Sequence, residues 1–120
     1  MRSLLPGSGD TVVVAEALGA SVGAVWTFVH DPLLLMGANG LALPEIAIGV
    51  MPAMRGRGVG GALIDALIER CRGEHEALTL NVHQRNPAMR LYLRKGFVVT
   101  GQGRGALGVA MRRQLPSTGV

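Results

Sequence analysis

The chain has 120 residues, 48% of them apolar and 17% charged, which fits one domain with a real core and excludes both a two-domain chain and a disordered one. Its net charge of +4 is uneven: residues 1–50 carry one base and four acids, whereas 51–120 carry eleven bases and four acids. A basic second half points to an anionic partner, and with only Trp26, Phe28, Tyr92 and Phe97 available for stacking, a phosphate-bearing small molecule fits better than nucleic acid.

Met1 leads through Arg2 into the loop-like residues Pro6, Gly7, Ser8 and Gly9 with no signal-peptide core, and no apolar run reaches the ~18 residues of a membrane span. A soluble protein without a membrane partner is expected. Residues 12–16 and 22–29 read as strands joined by a short turn around Gly19. The loop over 30–44, punctuated by Pro32, Gly37, Asn39, Gly40 and Pro44, carries Leu33, Leu34, Leu35 and Met36. Long apolar loops of this kind serve as lids, pocket walls or interfaces.

Residues 45–50 (Glu-Ile-Ala-Ile-Gly-Val) predict a short buried strand. After a glycine-rich stretch, Val59, Leu63, Leu67 and Cys71 recur every four residues, with Ile64 and Ile68 widening the stripe, and predict a helix over 59–72. Arg70 and Arg72 suit its C-terminal end, and Gly73 stops it. Cys71 is the single cysteine, so no intrachain disulfide forms and a reducing, cytoplasmic setting is expected. Residues 77–82 alternate, with Leu78, Leu80 and Val82 on one face and Thr79 and Asn81 on the other. A second helix over 87–95 is expected, with Asn86 as N-cap, Pro87 at its first position and Gly96 at its end. Strands near 97–101 and 106–112 pair around Gly101, Gly103 and Gly105. The order β-β-β-α-β-α-β-β predicts an α/β domain, a mixed sheet flanked by helices.

The stretch Arg55-Gly-Arg-Gly58-Val-Gly60-Gly61 between a strand and a helix carries the first chemical signal. The first turn of a helix has free backbone N–H groups and a partial positive charge, and glycines let amides curl around a phosphate. A tight turn with close strand–helix packing uses the same residues. A dinucleotide fingerprint requires its glycines after the first strand, and a Walker loop requires Lys-Ser or Lys-Thr after them; neither condition is met.

This loop resembles the Arg/Gln-x-x-Gly-x-Gly/Ala segment of GCN5-related N-acetyltransferases, and Val50-Met-Pro52 before it resembles that family's strand end and proline. A second block, Asn86-Pro-Ala88-Met-Arg-Leu91-Tyr92-Leu-Arg-Lys-Gly96-Phe97, is similar to the family's Asn-x-Ala-x-x-Leu-Tyr-x-x-x-Gly-Phe segment. The resemblance covers residues 10–113 of a single domain spanning 1–120.

The resemblance implies acetyl-CoA as cosubstrate, no metal, and an N-acetyltransferase acting on a primary amine of a small molecule, peptide or protein. It implies that the backbone of Ile48 and Val50 pairs with the pantetheine arm, that Gly49 sits at a strand bulge, and that Arg55, Gly56, Arg57, Gly58, Val59, Gly60 and Gly61 hold the pyrophosphate. Asn86 would contact the cofactor arm or simply cap its helix. Tyr92 would protonate the departing thiolate or pack as an amphipathic core residue. Glu45 is the candidate base; flanked by Pro44 and Ile46, it is expected to have a raised pKa, with His30 and His83 as other possibilities. Asn81 stands where some relatives carry a glutamate, and Trp26 would wall the acceptor pocket or belong to the core. The family usually opens with one strand and two helices before the hairpin, and only about ten residues precede Val12 here. A homo-oligomer with 33–36 near the contact is therefore expected. An acyl-CoA-binding or interaction module without catalysis is the alternative.

Overall fold

A computed structural model describes residues 10–30, 33–38 and 40–116. The loop-like lead-in over 1–9, together with Pro32 and Asn39 of the long loop, lies outside the described residues. Strands β1 (Val12–Ala17), β2 (Ala20–Phe28), β3 (Glu45–Val50), β4 (Ala77–His83), β5 (Val98–Gln102) and β6 (Gly108–Gln114) form one mixed sheet in the order β1-β2-β3-β4-β6-β5. Helix α1 (Val59–Cys71) links β3 to β4, and α2 (Met89–Arg94) links β4 to β5.

The first hairpin turns at Leu18 and Gly19, both with positive φ, the conformation whose twist suits a two-residue connection between antiparallel strands. The register then runs without a shift from β2 into β3, pairing Trp26 with Ala47 and Ala24 with Gly49. The bulge expected at Gly49 is therefore not formed against β2, because each residue there meets one partner.

Both helices pack on one face of the sheet. Val25, Ile46, Leu78, Leu80, Val82 and Met111 from the strands meet Leu63, Ile64, Leu67 and Cys71 of α1 and Tyr92 of α2. Fully burying such side chains contributes about 1.5–3 kcal/mol each, so this layer fixes where the two helices sit. Burial also raises the Cys71 thiol above its ordinary pKa.

Among the described residues no helix covers the other face. Part of it is met by the segment before β3: Met36 bridges Ala42, Leu43 is buried, and the Ala38 N–H donates to Glu76, which also accepts from Arg112 of β6. Arg112, and then the Ala38 amide, hold the Glu76 carboxyl below its usual pKa. That contribution to anchoring the segment is present above the ordinary glutamate value and is lost as the pH falls through the lowered one.

Several predicted boundaries and one predicted face differ from the expectation. α2 starts at Met89 because the Asn86 side chain accepts the Ala88 N–H at 2.8 Å, making a turn before the helix. The final hairpin shifts to 98–102 and 108–114 around a longer turn. Thr79, assigned to a polar face, is fully buried because its hydroxyl donates to the Pro44 carbonyl at 3.0 Å.

Candidate active site

The site begins where the sheet comes apart. Parallel strands β3 and β4 pair at Glu45 and Thr79 alone, where the Thr79 N–H donates to the Pro44 carbonyl. Beyond that point β3 bonds only β2, and β4 bonds only β6. Backbone groups alternate sides along a strand. With Pro44 facing β4 and Met51 donating to Val22 of β2, the peptide groups of Ile46, Ile48 and Val50 face the opening. The Val50 carbonyl is already taken there by Arg55 Nε at 3.2 Å. The Ile48 N–H and carbonyl face the same opening.

Below the opening lies the head of α1. Gly58 is its N-cap with φ 83°, and Gly56 has φ 76°, a region that L side chains enter only with strain. The first intrahelical bond runs from the Ala62 N–H to the Gly58 carbonyl, so the amides of Val59, Gly60 and Gly61 are not consumed by the helix. A Cβ on Gly58 would meet nothing within 4 Å, so the space before these amides is open. Gly60 and Gly61 serve a second purpose. A Cβ on Gly60 would lie 3.2 Å from Leu91, and one on Gly61 3.2 Å from Lys95, so these two glycines let α1 approach α2. Lys95 also pairs with Asp65 at 2.8 Å across the two helices.

A cavity of about 410 Å³ joins these parts, lined in the main by Ile48, Val50, Arg55, Gly58, Asn86 and Tyr92. Gly49, Gly56, Val59, Gly60 and Gly61 also border it; exposed Arg57 does not. The sequence reading missed Met54, Ala88, Leu91 and Arg94, which belong to the lining as well. Arg94 was discoverable as the basic residue two positions after Tyr92 on a short helix.

Tyr92 stands between two cavities. It also borders a second one of about 380 Å³, with Ile48 shared between them. Its ring meets Phe97 edge-on at 6.1 Å and is 8% exposed. Among the described residues the hydroxyl has no hydrogen-bond partner, yet it is not an orphaned buried atom, so the oxygen opens onto the cavities. Burial raises the phenol above its ordinary value of 10, which keeps it neutral and able to donate at physiological pH.

The second cavity is also lined by Phe28, His30, Glu45, Ala47, Asn81 and Arg104. Glu45 is 3% exposed and meets Arg104 through two parallel bonds, Nη1–Oε1 at 2.7 Å and Nη2–Oε2 at 2.5 Å. The bond to Glu45 raises the Arg104 pKa further. Arg104 escaped the sequence reading because it lies 59 residues from Glu45, within a glycine-rich turn that carries no periodic signal. Asn81 lines the cavity too, but its Oδ1 accepts the Arg104 N–H at 2.8 Å, making it an anchor for that turn. Trp26 lies outside the lining. It sits between Val12 and Ala47 in the sheet, and Phe28, two residues on along the same face, reaches the cavity instead. His83 borders a separate hollow beside the β5–β6 turn.

A mixed sheet that opens between two parallel strands above a glycine-headed helix is the build of the acyl-CoA N-acyltransferase fold. The family model for the acetyltransferase (GNAT) domain matches residues 8–99, and the chain belongs to that family. It is 38% identical over 68 residues to the 5-NmdU N-acetyltransferase of Pseudomonas phage PaMx11, a match covering 56% of this chain and 47% of that protein. The chain thus spans about half the length of this relative. Among solved structures it is similar to yncA of Salmonella typhimurium with its cofactor acetyl-CoA, at 25% identity and TM-score 0.72, covering 93% of this chain and 68% of that one. It is likewise similar to the ribosomal-protein-alanine N-acetyltransferase of Brucella melitensis, at 26% identity and TM-score 0.73, covering 90% and 70%. The phosphinothricin acetyltransferase of Sinorhizobium meliloti in complex with AcCoA matches at 25% identity and TM-score 0.71, covering 93% and 65%.

Proposed function

We propose that this chain is an N-acetyltransferase that moves the acetyl group of acetyl-CoA to a primary amine. The observation that carries this reading is the single lining shared by the open head of α1, the unpaired edge of β3 and the Tyr92 hydroxyl. The relatives solved with acetyl-CoA support the choice of cosubstrate. Amides from Gly56 to Gly61 hold the pyrophosphate, assisted by Arg55 and Arg57. The Ile48 peptide groups and the Val50 N–H bond the pantetheine arm, which passes Gly49 and Asn86.

The thioester then lies beside Tyr92, where the two cavities meet, with the acceptor in the second cavity beside Glu45, Asn81 and Phe28. The neutral amine attacks the thioester carbonyl carbon, the C–S bond breaks, Tyr92 protonates the thiolate, and Glu45 takes the amine proton, directly or through water. Release of free thiol across a panel of alkylamines, amino-acid esters and alanine-start peptides tests this reading. Turnover supports the enzyme; tight acetyl-CoA binding with no turnover supports a binding module instead. Glu45→Gln is expected to lower kcat/KM and to remove the acidic limb of its pH profile, which a wild-type profile in the variant would contradict.

The same reading includes self-association and a cytoplasmic setting. Val12 and Val14 are exposed on the edge strand β1, as are Leu33, Met36 and Leu41 in the segment before β3. An edge strand that the described residues leave uncovered favours pairing. Sedimentation at micromolar concentration is expected to show a dimer or larger species with 33–36 beside the contact, and a stable active monomer would contradict it. Cys71, buried in the core as a thiol, is consistent with reducing surroundings.

A further inference from the structure

We infer that Arg104 is a positioning residue for the acceptor side of the reaction, acting through Glu45. This inference rests on the proposed role of Glu45 as base. The turn between β5 and β6 is folded so that it brings the Arg104 guanidinium to the Glu45 carboxylate. The Gly103 N–H donates to the Gly108 carbonyl at 2.8 Å, and the Gly108 N–H donates to Gly105 at 3.3 Å. A Cβ on Gly108 would fall 1.7 Å from the Arg104 carbonyl oxygen, and one on Gly103 would fall 2.0 Å from Asn81 Oδ1. Neither position accepts a side chain while the turn keeps this shape. Asn81 then fastens the turn to β4 through the Arg104 N–H.

The resulting pair closes one side of the second cavity. A buried ion pair is a weak source of stability, because desolvating both charges offsets most of their attraction. Its value here is geometric: two parallel bonds fix the carboxylate plane at the root of the β3–β4 opening. A carboxylate has about four lone-pair sites, so each oxygen retains capacity for an acceptor amine or a water while bonded to Arg104. Among the described residues, the other charged or titratable groups around this site include His30 after β2, His83 at the end of β4 beside Arg104, Tyr92 on α2 and Arg112 of β6, which pairs with Glu76. Arg104 bonds both Glu45 oxygens.

The test uses the full chain, acetyl-CoA and the best primary amine from the panel. Arg104→Gln is expected to lower kcat/KM for the amine by roughly 10- to 100-fold with the KM for acetyl-CoA unchanged. The acidic limb of its pH profile is expected to move to higher pH. Arg104→Lys is expected to recover part of the loss, and free guanidinium part of the loss in Arg104→Ala. Should these variants fail to fold, Asn81→Ala loosens the turn while leaving the guanidinium in place, and a smaller loss in the same direction is expected. A folded Arg104→Gln with wild-type acceptor kinetics and pH profile overturns the inference. Glu45→Gln separates the two ideas. If it removes the limb and Arg104→Gln does not move it, only the positioning role fails; if it changes nothing, the base assignment itself fails.

Discussion

Replacing Tyr92 with phenylalanine is expected to lower kcat about 10²-fold while leaving the affinity for acetyl-CoA near that of wild type. The ring is held by the core and by Phe97, and phenylalanine keeps that packing. What it removes is one hydroxyl opening onto the junction of the two cavities. A proton donor matters when charge develops on the leaving sulfur and matters little to the bound ground state. The loss therefore falls on kcat. Pre-steady-state thiol release, with calorimetry for the cofactor, separates the two parameters, and a fall in affinity with kcat intact would reassign Tyr92 to binding.

The raised Tyr92 pKa also has a consequence for stability. An unfolded tyrosine ionises near pH 10, while the folded one keeps its proton to higher pH. Above pH 10 the unfolded chain binds fewer protons than the folded one. Stability is thus unaffected by this group below 10 and declines as the pH rises through 10 toward the folded value.

The second large effect is expected at Gly58. With φ at 83°, a residue carrying a Cβ costs about 1–2 kcal/mol in this conformation, and a valine would project into open space before the α1 amides. Gly58→Val is expected to weaken acetyl-CoA binding about 10²-fold, close to 2.7 kcal/mol. Gly60→Ala provides the contrast. Its Cβ meets Leu91 at 3.2 Å rather than open space, so its expected effect is on melting temperature more than on affinity. Calorimetry and thermal melts on both variants check this division, and equal losses of affinity would contradict it.

The elements that position the site were legible because their signals are local. β3 matches its predicted range because an apolar run is bounded by Pro44 and by Pro52. α1 follows from the four-residue recurrence of Val59, Leu63, Leu67 and Cys71, three of which are buried in the core. The open head of that helix was readable in Gly56 and Gly58. The double use of the glycines was not, since the approach of Leu91 and Lys95 to Gly60 and Gly61 depends on how two helices meet. Asn86 shows a milder version: its side chain caps a turn, as its residue type suggests, and the helix begins three residues later. The acceptor side was the least legible. Arg104, Glu45 and Asn81 come from three separate stretches of chain, and their contact is created by a turn whose shape is fixed by atoms meeting Gly103 and Gly108. Trp26, on the first hairpin, was expected to wall that pocket or belong to the core; Phe28, which pairs with Glu45 in the register, lines the pocket.

In the proposed binding mode the backbone at the head of α1 receives the pyrophosphate of acetyl-CoA. Titrating the ¹⁵N-labelled protein with coenzyme A and following its amide resonances tests it most directly. The largest shifts are expected at the amides of Gly56 to Gly61, with Ile48 next and little change at the outer strands β1 and β5. Saturable shifts centred elsewhere, or none at millimolar coenzyme A, would contradict it.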